Sequence, residues 1–527
     1  MKKILCFLIA VSFGALAQPL TYTATVNNPP AGYYFISAYN SNAASYPMIF
    51  DEQGHMVYYK IINGSNSLDF KLNVNGQISY FPAILGKFLI LDSTFNPVDT
   101  VASVGCITDG HELQILPNGH YLILGYENVT EDLSAYNYFN HNGSPGSTNA
   151  NVKCSVVQEL DANKNLVFDW HHVNHFPFDE VDTFFVNFPS FVDWNHANAL
   201  QQDLDGNILI STRHFCEITK VNRNTGNIMW HFGGKYNQFT FLNDTIPFYG
   251  QHDIRVWPNG HITFYDNGYH SLATRHAARA VEYELDTVNM TAKLVWSYQY
   301  DPQMISNSQG SVQLLPNGNR LINYGTVNKD SVCFNMVDSL GAELYKIKFA
   351  TGAFSYRCHY YPSLPWQLHR PSISCFDSLG TYYLKVDSAY ASYQWNTGDT
   401  LNAIPITSTG SYYVYVPYGP QGYISSYVLD ITDFNMQCAS VTSVAAADSR
   451  FSFELFPNPA RNEVTFFCDE PGMNLMPELR DIYGNRIGLS VISRKGNSVT
   501  LDISQLSAGV YFVSANNKTR KFIKSRD

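Results

Sequence analysis

The sequence LQILPNGHYLIL at residues 113–124 contains the unit from which most of this chain is built: an apolar run, a Pro-Asn-Gly turn and a second apolar run. Asn-Gly and Asp-Gly tolerate positive φ angles, so the unit predicts a tight β-hairpin. Clear copies follow as LQQDLDGNILI at 200–210, IRVWPNGHITF at 254–264 and VQLLPNGNRLI at 312–322, and two weaker copies come first, around residues 49–58 and 72–80. Most of the chain is therefore predicted to be a β-hairpin repeat.

A second pair of strand-like runs follows each of the first three clear hairpins, at 157–170, 218–230 and 281–296. Four antiparallel strands per repeated unit are typical of propeller blades. A solenoid is the alternative, but blades closed in a ring hide their edge strands and need no capping repeats. We therefore predict an all-β fold in which residues 18–361 form a six-bladed β-propeller.

The composition limits the partners and the location of the protein. Among 527 residues the formal net charge is −11 and charged residues make up only 15%, which argues against a nucleic-acid partner. Residues 1–17 resemble a secretory signal peptide, and no later apolar stretch is long enough to span a bilayer. We expect export through the periplasm. The cysteines are widely spaced, and Cys375 and Cys438, which bracket a small domain, are the candidate disulfide pair.

Two smaller domains are predicted after the repeat. Residues 371–440 alternate aromatic and polar side chains and predict an immunoglobulin-like β-sandwich. Residues 450–527 contain LFPNPA at 455–460, DIYGN at 481–485 and LSAGVY at 506–511, followed by a basic end. This segment resembles the C-terminal type A sorting domain of the type IX secretion system of Bacteroidetes. The resemblance implies a C-terminal β-sandwich, the secretion machinery as a partner, and a secreted or cell-surface protein. A plain adhesive β-sandwich is the alternative.

Polar side chains recur at the start of the first strand of each clear hairpin. Eight residues before the turn glycine lie His111, Asn198, His252 and, in the fourth copy, Gly310, and His196 lies two residues before Asn198. The innermost strand of a propeller blade borders the central channel. We therefore expect three imidazoles and an amide to converge at one mouth of that channel.

Arg213, on the strand after the same hairpin as His196, adds a cation that does not titrate. Three histidines could bind zinc with a fourth position open for water. Alternatively, one imidazole could be a nucleophile while the others and Arg213 stabilise an anionic group in transfer. A cation beside a bound divalent metal is unfavourable unless an anion lies between them. We therefore favour the nucleophile and expect neither a metal nor a cofactor.

Other polar residues near these positions are expected to lie outside the site. Histidines directly after Asn-Gly should be solvated at the hairpin tips, and those after Trp170 should be solvated in a loop. Acidic residues that directly follow a channel histidine should face away from the channel, because successive strand side chains alternate. The three groups are His120 and His261; His171, His172 and His175; and Glu112 and Asp253.

The stretches DWNHAN at 193–198, STRH at 211–214 and QH at 251–252, with the Pro-Asn-Gly turns, resemble bacterial aryl-sulfate sulfotransferases over about residues 30–360. That family is six-bladed and needs no nucleotide sulfate donor. The resemblance implies that a channel histidine, by position His252, is sulfated by a phenolic sulfate and passes the group to a second phenol. His196, Asn198 and Arg213 would bind the sulfuryl oxygens, and His111 would transfer a proton or stabilise the phenolate.

Two other classes of function stay open from the sequence. One is a non-catalytic binding or adhesion propeller at the cell surface, which the immunoglobulin-like domain would suit. The other is a metal-dependent hydrolase or lyase propeller.

Overall fold

The computed structural model describes residues 20–40, 44–136, 146–186, 191–268, 277–327, 332–350, 353–440, 453–468, 477–481, 486–488, 490–495, 497–515 and 518–525. The predicted signal peptide at 1–17 lies outside them. Two compact units are present: Met1–Cys375 with Tyr382–Gln437, and Phe376–Thr381 with Cys438–Asp527. Each is described separately below.

The first unit consists almost entirely of strands up to residue 361. The first nine are β1 (Tyr22–Val26), β2 (Tyr33–Asn40), β3 (Ala44–Asp51), β4 (Met56–Lys60), β5 (Ile62–Asn63), β6 (Ser67–Leu72), β7 (Ile78–Pro82), β8 (Phe88–Leu91) and β9 (Pro97–Val101). The next nine are β10 (Ile107–Ile115), β11 (Tyr121–Glu131), β12 (Ala150–Leu160), β13 (Leu166–His171), β14 (Phe191–Asp193), β15 (Ala197–Gln202), β16 (Ile208–Thr212), β17 (Glu217–Val221) and β18 (Ile228–Gly233). The last ten are β19 (Thr240–Leu242), β20 (His252–Val256), β21 (Ile262–Asp266), β22 (Arg279–Asp286), β23 (Thr291–Tyr298), β24 (Ser311–Leu314), β25 (Arg320–Asn323), β26 (Val332–Val337), β27 (Glu343–Phe349) and β28 (Ala353–Tyr361). Short 3₁₀ turns lie at Ala83–Leu85, His172–Asn174, Phe178–Glu180 and Thr183–Phe185.

These strands form four-stranded antiparallel meanders arranged in a ring. Five meanders are consecutive in the chain, namely β6–β9, β10–β13, β15–β18, β20–β23 and β24–β27, and a sixth joins β28 to β2, β3 and β4. Their first strands β6, β10, β15, β20, β24 and β28 contact one another in this order, and β28 contacts β6 again. The antiparallel sheet that joins β28 from the end of this region with β2–β4 from its beginning therefore closes the ring, and the predicted all-β, propeller-like fold is confirmed.

The Pro-Asn-Gly and Asp-Gly turns adopt the backbone that the sequence predicts. In the first clear copy the N–H of Gly119 donates to the carbonyl of Leu116 at 2.8 Å. The turn glycines have φ between 81° and 85°, a region in which a side chain is strained; they are Gly119, Gly206, Gly260 and Gly318.

Glutamine side chains join the first strands around the ring. In three copies a glutamine five residues before the turn glycine both donates to and accepts from the backbone of a neighbouring first strand. Its Nε2 donates to a carbonyl oxygen, in the pairs Gln114 to Leu200 (2.8 Å), Gln201 to Val256 (3.3 Å) and Gln313 to Tyr360 (2.9 Å). Because these are buried or half-buried backbone groups, each glutamine satisfies atoms that would otherwise lack partners.

An ion network occupies the axis between the first strands. The guanidinium of Arg357, only 2% exposed, lies 2.9 Å from Asp69, 2.9 Å from Glu112 and 2.8 Å from Asp253. Lys71 lies 2.6 Å from Asp69 and 2.7 Å from Glu112. With Arg255, which contacts both Glu112 and Asp253, the three acidic and three basic side chains balance in charge. Burial is therefore tolerated, because each ion has partners of opposite sign.

The prediction that Glu112 and Asp253 face away from the channel is wrong. Both lie in this axial network, because their strands do not alternate regularly there. The pairing register shifts between Thr108 and Leu113 in β10 and between His252 and Arg255 in β20. A β-bulge of this kind redirects the side chain that follows it, and Asp253 accordingly has a φ of 64°.

The region after residue 361 extends the sheet that closes the ring. Its elements in the first unit are β30 (Thr381–Val386), β31 (Gln394–Trp395), β32 (Ala403–Ile406), β33 (Gly410–Tyr412), β34 (Val414–Pro417), β35 (Gly422–Ser425), β36 (Leu429–Ile431) and the helix α1 (Phe434–Gln437). Strand β35 pairs with β4, and β34 and β31 continue outward from it. The hydroxyl of Tyr415 also donates to the carbonyl of Met56 at 2.9 Å. The immunoglobulin-like sandwich at 371–440 stays a prediction.

The second unit contains β29 (Ile373–Ser378), which pairs with β37 (Ala439–Ser440), and two four-stranded sheets. The strands of these sheets are β38 (Phe453–Phe456), β39 (Glu463–Cys468), β40 (Glu478–Arg480), β41 (Arg486–Ile487), β42 (Ser490–Lys495), β43 (Ser498–Asp502), β44 (Gly509–Ala515) and β45 (Lys518–Lys524). One sheet has the order β38-β39-β43-β42 and the other β41-β40-β44-β45. They share one apolar core that includes Phe466, Leu501 and Phe522.

The described residues include both cysteines of the predicted disulfide. Cys375 and Cys438 are both disulfide-bonded. Among the other described cysteines, Cys106 is partly exposed, and the remaining five are buried, namely Cys154, Cys216, Cys333, Cys358 and Cys468. Within the described ranges no helix has the length and apolar character needed to cross a membrane.

We predict that Arg357→Met destabilises the protein by about 3–5 kcal/mol, because it leaves three buried carboxylates with too little positive charge. The free energy of unfolding, from denaturant titration followed by tryptophan fluorescence, measures the loss. The control Lys293→Met removes an ion pair with Glu284 in which both side chains are about half exposed, and it should cost less than about 1 kcal/mol. Equal effects of the two variants would contradict a structural role for the axial network.

Candidate active site

The structure brings the predicted site histidines together. The rings of His111 and His196 lie 5.1 Å apart, and the ring of His214 stacks 4.7 Å from that of His196. His252 lies close enough that the charges of Arg213, His196 and His111 all lower its pKa. The four residues predicted to be catalytic thus form one cluster with His214.

The local backbone explains how this cluster forms. Arg213 donates its backbone N–H to the carbonyl of His196 at 3.0 Å, so the stretches DWNHAN and STRH lie side by side as β15 and β16 meet. The register of β15 shifts between Ala197 and Ala199, and His196 has a φ of 47°. Bulges therefore occur in β10, β15 and β20 at the level of the cluster. Irregular backbone at this level turns side chains of three different sheets toward one point.

His252 is held in a single neutral tautomer. Its Nδ1 lies 2.8 Å from Oδ1 of Asn267 and 3.1 Å from the carbonyl oxygen of Gly250. The Asn267 amide nitrogen donates to Ser306 and to the carbonyl of Gln309, which fixes its oxygen toward His252. Because both neighbours of Nδ1 are acceptors, Nδ1 carries the proton and Nε2 carries the lone pair.

The protonation of His252 follows from its surroundings. The side chain is buried, and burial followed by the charge of Arg213 holds the pKa of His252 well below its ordinary value of 6.5. An imidazole disfavours its charged form when it is desolvated beside a cation. His252 therefore presents an uncharged, nucleophilic Nε2 at neutral pH.

His111 and His196 differ from His252 because a carboxylate holds each of them. Nδ1 of His111 pairs with Asp109, and Nδ1 of His196 lies 2.6 Å from Asp193. Although burial opposes it, the paired histidines hold the pKa values of both carboxyls well below the ordinary range. Lys153 lies 3.8 Å from Asp109 and 4.0 Å from Asp193 and adds to this effect. A carboxylate behind an imidazole orients the ring and stabilises a positive charge that arises on it during a reaction. Burial nevertheless outweighs the effect of Asp193 and lowers the pKa of His196 from its ordinary value.

Arg213 is fixed from several sides. Its guanidinium donates to Nε2 of His214 at 2.9 Å and to the carbonyl of Asn307 at 2.7 Å, and it lies 4.7 Å from the ring of Phe185. Phe185 in turn stacks on His214 at 4.7 Å. A cation held in place beside the histidines is suited to an anionic ligand.

Asn198 is fully buried beside the cluster. Its amide nitrogen donates to the carbonyl of Gln251 at 2.7 Å, and its own carbonyl accepts from Arg357 at 2.6 Å. Its Oδ1 has no hydrogen-bond partner among the described residues. In this arrangement Asn198 positions the backbone that leads into His252, and its contact with a substrate stays a prediction.

One group of side chains could be considered for a metal ion. Asp193, His196 and His214 each offer a ligand atom within 4.8 Å of the others. Both nitrogens of His214 are already used, since Nδ1 lies 2.6 Å from the carbonyl oxygen of Asp193 and Nε2 accepts from Arg213. A divalent ion here would meet the guanidinium directly. The donor set therefore does not suit a metal in this arrangement.

Several residues near the cluster could not be found from the hairpin pattern. Asp109 and Asp193 lie two or three residues before a predicted histidine, so their spacing offers a local signal. Asn267 and Lys153 lie on other parts of the fold and offer none.

The histidines set aside in the sequence differ in their exposure, and only His175 of the loop after Trp170 is exposed as expected. His172 is completely buried, and burial lowers its pKa to about 3, so the expectation for this residue is wrong. His120 and His261 are partly exposed, yet their Nδ1 atoms lie 2.6 Å from Glu159 and 2.7 Å from Glu282. Their recurrence reflects a repeated structural pair at the hairpin tips.

The fold and the site together define an all-β, propeller-like protein with a histidine and arginine cluster. Residues 22–360 match the family model for Arylsulfotransferase (ASST), and the chain belongs to this family. Residues 454–525 match the model for the Secretion system C-terminal sorting domain. This second match confirms the predicted type IX sorting domain and supports secretion or cell-surface export.

Solved structures are similar to this chain only at low sequence identity. A protein of unknown function from Bacteroides caccae is 12% identical, with a TM-score of 0.40, covering 64% of this chain and 100% of that chain. Virginiamycin B lyase from Staphylococcus aureus is 9% identical, with a TM-score of 0.31, covering 70% and 96%. The β-propeller domain of Cps50 (Swd1) from Myceliophteria thermophila is 9% identical, with a TM-score of 0.34, covering 73% and 100%. No curated protein matches the chain.

We predict that His252 stays neutral, with the proton on Nδ1, from about pH 5 to 8, because its pKa lies well below 6.5. Side-chain ¹⁵N NMR of histidine-labelled protein would show this as constant, unequal shifts of the two ring nitrogens. His171 is an internal control: although burial opposes it, hydrogen bonds to Glu127 and Asp169 raise its pKa, so it should titrate within the range. A titration of His252 near pH 6.5 would rule out the neutral tautomer.

Proposed function

We propose that this protein is a secreted aryl-sulfate sulfotransferase that needs no nucleotide donor. It moves a sulfuryl group from a phenolic sulfate to a phenolic acceptor through a sulfohistidine at His252. The observation that carries the proposal is the neutral, Nε2-nucleophilic tautomer of His252 in a chain of the arylsulfotransferase family. The environment of His252 supports it, because a fixed cation and two carboxylate-backed imidazoles lie beside the nucleophile.

In the first half-reaction, Nε2 of His252 attacks the sulfur of the donor. The N–S bond forms as the bond between sulfur and the phenolic oxygen breaks, and the electron pair of that bond leaves on the phenolate. His111, held by Asp109, gives its proton to the departing oxygen. The sulfated ring then carries a positive charge, and the Nδ1 proton remains directed at the oxygen of Asn267.

In the second half-reaction, the acceptor phenol loses its proton to His111 and attacks the same sulfur. The N–S bond breaks and returns its electron pair to Nε2, so His252 is neutral again and His111 is protonated for the next cycle. One proton carrier thus serves both half-reactions, and atoms and charges balance over the cycle.

The remaining residues stabilise the group in transfer. The sulfuryl group is anionic and loosely bonded in such a transfer, so positioning and positive charge supply most of the catalysis. Arg213 is locked by His214, Asn307 and Phe185 and would contact the sulfuryl oxygens together with His196. We also propose that Asn198 contacts the sulfuryl oxygens of the substrate, in addition to donating to the carbonyl of Gln251.

We propose the matching domain organisation. Residues 1–17 form the signal peptide, 18–361 a six-bladed propeller, 371–440 an immunoglobulin-like domain and 450–527 the sorting domain, and the protein passes through the periplasm. The ring of six described meanders supports the blade count.

We predict that the protein, incubated with 4-nitrophenyl sulfate and phenol, transfers the sulfuryl group and accumulates a sulfated form at His252. Intact mass spectrometry under mildly alkaline conditions, after a short pulse of donor alone, would detect the added group. His252→Ala should lose both the adduct and turnover while remaining folded by circular dichroism.

The matched control is His261→Ala, which removes a histidine from the same strand pair at the hairpin tip and should keep both signals. A folded protein that shows neither turnover nor adduct with a range of aryl sulfates would indicate a binding propeller. Hydrolysis of the aryl sulfate without a sulfated form of the protein would indicate an enzyme that does not use a sulfohistidine intermediate.

We predict that His111→Gln discriminates between donors by the acidity of their phenol. With unsubstituted phenyl sulfate, loss of the proton donor should lower kcat/KM by about 10²–10⁴-fold. With 4-nitrophenyl sulfate the loss should be much smaller, because that phenolate leaves without a proton. Steady-state kinetics with both donors measure the difference, and equal losses would show that His111 does not protonate the leaving group.

A further inference from the structure

A second acidic cluster lies beside the candidate active site and has no role in the proposed reaction. Glu180 ends the 3₁₀ turn Phe178–Glu180 in the loop between β13 and β14, and Glu217 begins β17. Their side chains are 2% and 0% exposed. Burial followed by the charge of Glu217 raises the pKa of Glu180 to about 8.

The oxygens of this pair are poorly satisfied. Neither Oε1 nor Oε2 of Glu180 has a hydrogen-bond partner among the described residues, and the same holds for Oε2 of Glu217. The charge of Lys235 and, to a smaller degree, its backbone N–H both favour the charged form of Glu180. Only Oε1 of Glu217 is occupied, by Thr219 and by His231 at 2.8 Å. Buried polar atoms nearly always have partners, so three orphaned carboxylate oxygens in one place require an explanation.

A glycine leaves room beside these oxygens. A side-chain carbon at Gly234 would lie 3.3 Å from Oε2 of Glu217 and 2.6 Å from the carbonyl oxygen of Phe215. A carboxylate oxygen and a backbone carbonyl oxygen thus border the same space, which any larger residue would fill. Carboxylate and carbonyl oxygens in irregular geometry are the ligands that Ca²⁺ takes in proteins.

We propose that Glu180 and Glu217 form a buried site for a hard divalent cation, best matched by Ca²⁺, with the carbonyl oxygen of Phe215 as a further ligand. The ion adds positive charge beside two buried carboxyl groups, beyond that of Lys235 near Glu180 and of His231 on Oε1 of Glu217. This site is separate from the histidine cluster and does not depend on the transferase chemistry.

The position of the site gives the ion a structural consequence for catalysis. Glu180 belongs to the loop that carries Phe185, and Glu217 follows the turn that carries Arg213 and His214. The backbone N–H of Asp182 already donates to the carbonyl of His214 at 2.8 Å. A cation between the two glutamates joins the same two segments a second time and so keeps Phe185 stacked on Arg213 and His214.

The test uses the full-length protein after dialysis against EDTA. Adding CaCl₂ should raise the melting temperature by roughly 3–6 °C, and elemental analysis after desalting should find one ion per chain. Glu180→Gln should abolish the calcium response. In calcium-free buffer this variant should melt close to the dialysed wild type, because a pKa of about 8 leaves Glu180 mostly uncharged near pH 7 when no ion is bound. MgCl₂ and ZnCl₂ at the same concentration should give smaller shifts.

The matched control is Asp179→Asn, which removes the neighbouring carboxylate that pairs with Lys235 on the surface. This variant should keep the calcium response. The proposal is overturned if no divalent ion changes the melting temperature of the dialysed protein, or if Glu180→Gln responds to calcium as the wild type does. All of these readouts are independent of sulfuryl transfer, so a failure here is distinguishable from a failure of the proposed function.

Discussion

The contact of Arg357 with three carboxylates on the axis is the interaction on which the rest of the propeller depends. Asp69, Glu112 and Asp253 come from three different sheets, and Arg357 comes from the strand that closes the ring. Buried charges tolerate little displacement, because a lost partner leaves an ion in a medium of low dielectric. The network therefore fixes the first strands relative to one another. The backbone carbonyl of Asn198 accepts a hydrogen bond from the same guanidinium. The position of Asn198 beside the histidine cluster therefore depends on Arg357 as well.

Local signals in the sequence were sufficient to predict the hairpins and to place the histidines at one level of the ring. The turn glycines dictate positive φ, and residues at one distance from those turns occupy one level of the ring, so His111 and His252 could be placed together. Strand alternation failed for Glu112 and Asp253 because bulges interrupt it, and a bulge has no fixed sequence signature. Asn267 and Lys153 reach the cluster through long-range packing, which no local pattern encodes. His172 is buried because the rings of Trp170 and Phe176 pack against it.

The partner of Nδ1 distinguishes the histidines of the cluster more clearly than their positions do. An amide oxygen behind His252 fixes a tautomer without adding charge, whereas the carboxylates behind His111 and His196 orient those rings and place a negative charge beside them. A backbone carbonyl behind His214 directs its second nitrogen to Arg213 and makes it a support for the guanidinium. The proposed roles of nucleophile, proton carrier and support for the guanidinium rest on these three kinds of Nδ1 partner, because the partner decides which form of each ring is favoured.

The pairing of β35 with β4 makes the chain after residue 361 part of the sheet that closes the ring. Strand β4 is the outermost strand of that meander, and its free hydrogen-bonding edge would otherwise face solvent. A shortened protein that stops at the last strand of the ring would expose this edge together with the aromatic side chains of Tyr59 and Tyr58. We expect such a fragment to self-associate by pairing through the exposed edge of β4. In the full chain, β35 covers this edge and so prevents aggregation through it.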